Sequence, residues 1–189
     1  MSDDGRRHDD LAAPEWPVLE SELEYETGWF TGGYDLVEQP NGTTKRYYWA
    51  ELATAVVVVA VQDGSVVFVE QYRPTVRETQ FELPAGIVEA GESFTAAGER
   101  ELREETGFAA GTTALLQDFW VATGLLRHRR GFVFASDLEP VDPDLDDNEF
   151  LSVRSVPVTE ALDIARSHPT NDATLEGILL AREEGLLEA

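Results

Sequence analysis

Apolar and polar positions along this chain fall into short blocks with turn residues between them. The Val-rich block Ala53 to Val61 reads as a buried strand, Asp63-Gly64 as a hairpin turn, and Val66 to Tyr72 as the next strand. Upstream, Leu19 to Val37 is mixed extended sequence. The turn chemistry of Gln39-Pro40-Asn41-Gly42 follows, with Thr43 to Leu52 as the returning strand. Downstream, Phe81-Glu82-Leu83-Pro84-Ala85-Gly86 reads as a loop leading to a helix from about Ser93 to Thr106, closed by Gly107 at a C-cap position. Further strands are expected at Ala114–Val121, Gly131–Ser136 and Phe150–Val156, and two helices from about Thr159 and about Ala173. Strands on both sides of one helix, with helices at the end, predict a mixed α/β (α+β) sandwich. Residues 1–15 are expected to be a flexible acidic arm, 16–52 a strand and hairpin extension, and 53–189 the main domain.

Composition narrows the chemistry. No apolar run approaches the ~18 residues of a membrane helix, and the polar N-terminus has no signal-like apolar core, so a cytoplasmic protein is expected. There is no cysteine, hence no disulfide framework, thiolate metal site or thiol nucleophile. The three histidines (His8, His128, His168) are scattered, so a metal here would be held by oxygen. With 37 acids against 14 bases the net charge is −23, a field that repels nucleic acids and anionic membranes. The acids run from Asp3 to Glu188, which we read as an adaptation of the whole surface to high salt, where screening suppresses self-repulsion.

The predicted helix carries a chemical anomaly. With Phe94 at zero on a wheel of 100° per residue, Ala97 and Gly98 share its stripe, which continues through Glu101 and Glu105 with Glu104 at its edge. A core helix would place Leu or Ile there, because a buried carboxylate is costly and like charges at i, i+4 repel. A divalent cation removes both penalties, and an all-oxygen donor set suits Mg²⁺, Mn²⁺ or Ca²⁺ rather than zinc. Glu99, off this stripe, reads as an ordinary solvated acid.

These residues belong to a longer pattern: Gly86, five residues, Glu92, seven residues, then Arg100-Glu101-Leu102-Arg103-Glu104-Glu105-Thr106-Gly107-Phe108. It resembles the box of the Nudix hydrolase family at every constrained position. The resemblance implies a Nudix-like α/β/α sandwich and metal-dependent hydrolysis of a nucleoside diphosphate linked to another group, with Mg²⁺ or Mn²⁺ as cofactor. It implies Glu101, Glu104 and Glu105 as metal carboxylates, joined by the Ala85 carbonyl. Arg100 would orient the carboxylates, Glu92 would support the geometry or a second metal, and Gly86 and Gly107 would be backbone-permissive positions.

Outside the box, Gln71-Tyr72-Arg73-Pro74, Phe81 to Gly86, and the layout Trp29, Pro40-Asn41-Gly42, Tyr47 resemble the ADP-ribose pyrophosphatase branch. That likeness implies Arg73 and Glu82 as substrate contacts. It also implies Trp29 and Tyr47 as stacking partners of the base, from different subunits of a homodimer; such stacking is worth about 1–3 kcal/mol per base. Asp146-Asp147-Asn148-Glu149 resembles the acidic loop that carries a glutamate general base, which makes Glu149 a catalytic candidate. One departure stands out: Thr123, in Ala122-Thr123-Gly124, occupies the place of the branch's usual proline. The basic run Arg127-His128-Arg129-Arg130 follows directly, and we expect Arg127 and Arg129 to meet a phosphate or an acidic partner. The leading expectation is ADP-ribose cleaved to AMP and ribose 5-phosphate. Another nucleotide sugar or a dinucleotide as substrate, or a non-catalytic nucleotide-binding module, stays open.

Overall fold

The computed structural model describes residues 15–142, 150–167 and 169–187. The described residues form two compact units, 15–52 with 124–126, and 53–123 with those from 127 onward.

In the first unit β1 (Val18–Glu26), β2 (Phe30–Glu38) and β3 (Thr44–Leu52) form an antiparallel meander. The stretch expected as generic extended chain is therefore two strands, divided at Thr27. Its hydroxyl accepts from the N–H groups of Trp29 (3.0 Å) and Phe30 (2.9 Å), a local turn that propensity alone did not reveal. The β2–β3 hairpin turns where the sequence places it, with Gly42 at φ 79° and the Asn41 side chain accepting from Thr43 N–H at 3.0 Å. The short β9 (Leu126–Arg127) lies beside β3 in the sheet order β1-β2-β3-β9.

The second unit contains β4 (Ala55–Gln62), β5 (Ser65–Arg73), β6 (Glu78–Glu82), β7 (Ala85–Ile87), β8 (Phe108–Trp120), β10 (Arg129–Pro140) and β11 (Leu151–Pro157). Its helices are α1 (Phe94–Thr106), α2 (Val158–Ala165) and α3 (Asp172–Glu183). Its mixed sheet runs β11-β5-β4-β10-β8, with β6 on β5 and β7 on β4; β4 and β10 are parallel and the other pairs antiparallel. The continuous Val run of β4 is explained by burial on both faces. Val57 and Val59 join Phe68, Leu83, Phe132 and Ile178 under α2 and α3. Val56, Val58 and Ala60 face Ala97 and Leu102 of α1. The turn Asp63-Gly64 has both residues at positive φ (48° and 72°), the conformation a two-residue hairpin demands. Two expectations change. The segment expected as a loop before the helix, Phe81 to Gly86, holds the end of β6 and the start of β7, and β8 starts at Phe108, directly after the αL residue Gly107, rather than at Ala114. Among the described residues no helix is long and apolar enough to cross a membrane.

Candidate active site

Helix α1 is fixed at both ends. The Ser93 hydroxyl accepts from Ala96 N–H (3.2 Å), and Gly107 sits at φ 70° with its N–H donating to the Arg103 carbonyl (3.0 Å). The inward face is Ala97, Gly98, Glu101, Leu102 and Glu105. Glu101 is 8% exposed and Glu105 5%, so the acidic half of the stripe is buried beside its small apolar half. Glu99 lies on the other side of the helix, exposed, and accepts from the Thr113 hydroxyl at 2.6 Å.

Arg100 gathers the carboxylates. Its Nη1 donates to Glu101 (2.8 Å) and Glu104 (3.0 Å), its Nε and Nη2 fork onto Glu92 (3.2 and 3.1 Å), and Nη2 also donates to the Ile87 carbonyl (2.7 Å). Glu92 further accepts from Glu89 N–H at 3.1 Å, which ties the approach to the helix. The Arg100 hydrogen bonds hold the Glu92 carboxyl below its ordinary range, and the same carboxylates push the guanidinium pKa up. Glu105 accepts from Ala85 N–H at 3.1 Å, docking the end of the helix onto β7.

Gly86 has a steric rather than a conformational role. Its φ is not positive, unlike that of Gly107, but a Cβ at this position would overlap the Glu101 carboxyl group. The expectation of backbone freedom thus describes Gly107, while Gly86 supplies space.

The donor chemistry fits a hard divalent cation, with three carboxylates inside about one helical turn, two of them buried, and the Ala85 backbone next to Glu105. Among the described residues, however, no three carboxylate or imidazole groups converge closely enough to enclose an ion. In this arrangement the Arg100 guanidinium carries the compensating charge.

The remaining candidates are dispersed. Arg73, at the end of β5, forks onto Glu82 of β6 (Nε 2.9 Å, Nη2 2.5 Å); Glu82 is 4% exposed, so this carboxylate is a buried anchor for the arginine. Trp29 is 82% exposed at the β1–β2 turn. Tyr47 stands in mid-β3 opposite Asp35, its ring edge-on to Trp16 and its hydroxyl accepting from Gln39 at 3.0 Å. Phe30, next to Trp29, pairs with Leu52, five residues beyond Tyr47, which is about 17 Å of strand. A single protomer therefore does not bring the two rings together.

The basic run is split by its strands. Arg127 is half-buried at the end of β9. Arg129 donates to Asp118 (2.6 Å) beside the Trp120 ring, and Arg130 reaches Asp172 and Glu176 (3.3 Å each). His128 is buried with Nδ1 2.8 Å from the Ala53 carbonyl, and burial pushes its pKa down. Glu149 lies outside the described residues.

One polar group escaped the sequence reading. Gln80 is 6% exposed, on the same face of β6 as Glu82. The alternation Glu78-x-Gln80-x-Glu82 was its signal, cut short by starting a loop at Phe81.

The acidic helix docked against β7, with Gly86 leaving room for Glu101, lies in the part of the chain that a family model matches. The NUDIX domain model matches residues 51–177, more than half the chain. An ADP-ribose pyrophosphatase of Bacillus subtilis (strain 168) is 33% identical over 140 residues, covering 72% of this chain and 76% of that one. An ADP-ribose pyrophosphatase of Mycobacterium tuberculosis (strain ATCC 25618 / H37Rv) is 30% identical over 174 residues, covering 89% and 84%. A crystal structure of an ADP compounds hydrolase superposes with a TM-score of 0.84 at 25% identity, covering 90% of this chain and 94% of the other. The chain belongs to the Nudix family and is a hydrolase of that family.

Proposed function

We propose that the protein hydrolyses the pyrophosphate of ADP-ribose, giving AMP and ribose 5-phosphate, with Mg²⁺ or Mn²⁺ as cofactor. The observation that carries this reading is the pair of buried glutamates, Glu101 and Glu105, held by Arg100 and by Ala85 N–H against the space left by Gly86. Glu101, Glu104, Glu105 and the Ala85 carbonyl are the groups that would hold the metal. A bound cation there would neutralise the pyrophosphate and lower the pKa of its water. Arg100 keeps the carboxylates in register through charge-assisted hydrogen bonds. Arg73, braced by Glu82, offers its remaining N–H groups to a phosphate or ribose oxygen. Trp29 and Tyr47 stack on the base from two subunits of a homodimer, an arrangement supported by their separation along one protomer and by the exposure of Trp29. Glu149 is the candidate general base by its place in the sequence alone. Likeness to the ADP-ribose pyrophosphatases of Bacillus subtilis and Mycobacterium tuberculosis supports the substrate class.

The test is a product assay on a panel of nucleotide sugars, dinucleotides and triphosphates with Mg²⁺ at high salt. ADP-ribose turned over fastest, to AMP and ribose 5-phosphate, supports the reading; preferred cleavage of a triphosphate overturns it. Thr123 in place of the branch's proline favours one second reading, another nucleotide sugar or a dinucleotide, and the same panel resolves it. Glu105→Gln separates enzyme from binding module, since hydrolysis should collapse while nucleotide binding persists.

A further inference from the structure

A groove of about 460 Å³ lies beside β6, lined among others by Arg73, Glu78, Gln80, Glu82, Thr170 and Asn171. This is within the size range of small-molecule sites, about 300–1,000 Å³. Which side of the sheet it opens on follows from strand alternation. Phe81 stacks on Phe68, which belongs to the core under α2 and α3, so Gln80 and Glu82 project to the opposite side. There Glu82 pairs with Val69, and Val67, two residues before Val69 on the same face, packs with Leu102 of α1. The groove therefore faces the side of the glutamate helix. Glu82 is three residues from Ala85, at most about 11 Å of chain, and Ala85 N–H is bonded to Glu105.

The far wall is built by the segment before α3. Phe81 N–H donates to the Pro169 carbonyl (3.2 Å), the Thr170 hydroxyl donates to the Phe81 carbonyl (2.9 Å), and Leu83 N–H donates to the buried Thr174 hydroxyl (3.2 Å). Hydrogen bonds also fix the orientation of both amides. Gln80 Nε2 donates to Glu78 (3.1 Å), which makes Oε1 its acceptor atom. Asn171 Oδ1 accepts from Thr174 N–H (2.8 Å) as the cap of α3, which makes Nδ2 its donor. The groove so presents a guanidinium at one end and paired amide and hydroxyl groups along its wall. An anion bearing several hydroxyls matches that order.

Resting on the reading of the protein as a pyrophosphatase, we propose that Gln80, Thr170 and Asn171 bind the hydroxyls of the sugar phosphate beyond the scissile pyrophosphate, making this groove the determinant of preference for a sugar over other groups.

The experiment compares kcat and KM for ADP-ribose and for the β-methyl ester of ADP, which keeps the pyrophosphate but has no distal sugar. It uses the intact protein, Asn171→Ser, which retains a capping oxygen and loses Nδ2, and Gln80→Met. In each variant the ratio of kcat/KM values, ADP-ribose over ester, should fall about three- to tenfold through KM, the size of one hydrogen bond. A ratio within twofold of the unsubstituted protein in both variants, with both folded by thermal melting, overturns the proposal while leaving the pyrophosphatase reading intact. Cleavage of neither compound by the unsubstituted protein overturns both.

Discussion

Gly86→Ala isolates the contact on which the site geometry depends. The φ of Gly86 is not positive, so an alanine should stabilise the chain by about 0.4–1 kcal/mol through the entropy of the unfolded state. Against this, the new methyl would occupy the position of the Glu101 carboxyl group. Glu101 is 8% exposed and bonded to Arg100 at 2.8 Å, so it can yield only by giving up that charge-assisted bond, worth about 1.5–3 kcal/mol. The expected net effect is a loss of about 1–2 kcal/mol, or roughly 2–8 °C in melting temperature for a chain of this size. Displacing the carboxylate by an ångström or more should lower kcat about 100-fold. Thermal melting in chelator and steady-state hydrolysis of ADP-ribose measure the two effects. In a Glu101→Ala background the same substitution should become neutral or stabilising, because the clash partner is gone. A Gly86→Ala protein that is more stable than its parent and fully active would refute the assignment of Gly86 as the cradle of Glu101.

Two further outcomes follow from charge. Burial depresses the His128 pKa below its ordinary value of 6.5, so between the two values the unfolded chain holds the extra proton and stability rises with pH. The contribution is complete above about pH 6.5 and lost as pH falls through the folded-state pKa; stability curves of His128→Gln should therefore be flatter below pH 6.5. For the whole surface, a net charge of −23 should make melting temperature climb with KCl from dilute buffer to molar concentrations, and maximal stability in dilute buffer would contradict the high-salt reading.

Local signals made much of this architecture legible. The Val run, the two hairpin turns and the capped helix each agree with the strand, turn or helix the chain adopts, because in each case periodicity and backbone preference point the same way. The acids on the inward stripe of α1 were legible for the same reason, since the wheel places Glu101 and Glu105 inside and the structure buries them. What stayed hidden depends on long-range pairing. The Phe81 to Gly86 stretch contains Pro84 and reads as a loop, yet β5 and β4 recruit the residues on either side into β6 and β7. Arg129 and Arg130 look like one patch in sequence, but neighbouring residues of a strand point to opposite faces, and each arginine finds a carboxylate more than ten positions away. The cradle at Gly86 needs the tertiary approach of α1, which no local rule contains.

The central claim is that the glutamates of α1 hold a divalent cation. Titration of Mn²⁺ into the intact protein by calorimetry, alongside Glu105→Gln and Glu101→Gln, tests it most directly. Saturable binding in the parent, weakened at least tenfold in both variants, is the predicted result. Absence of binding in the parent, or equal affinity in all three proteins, would contradict the account.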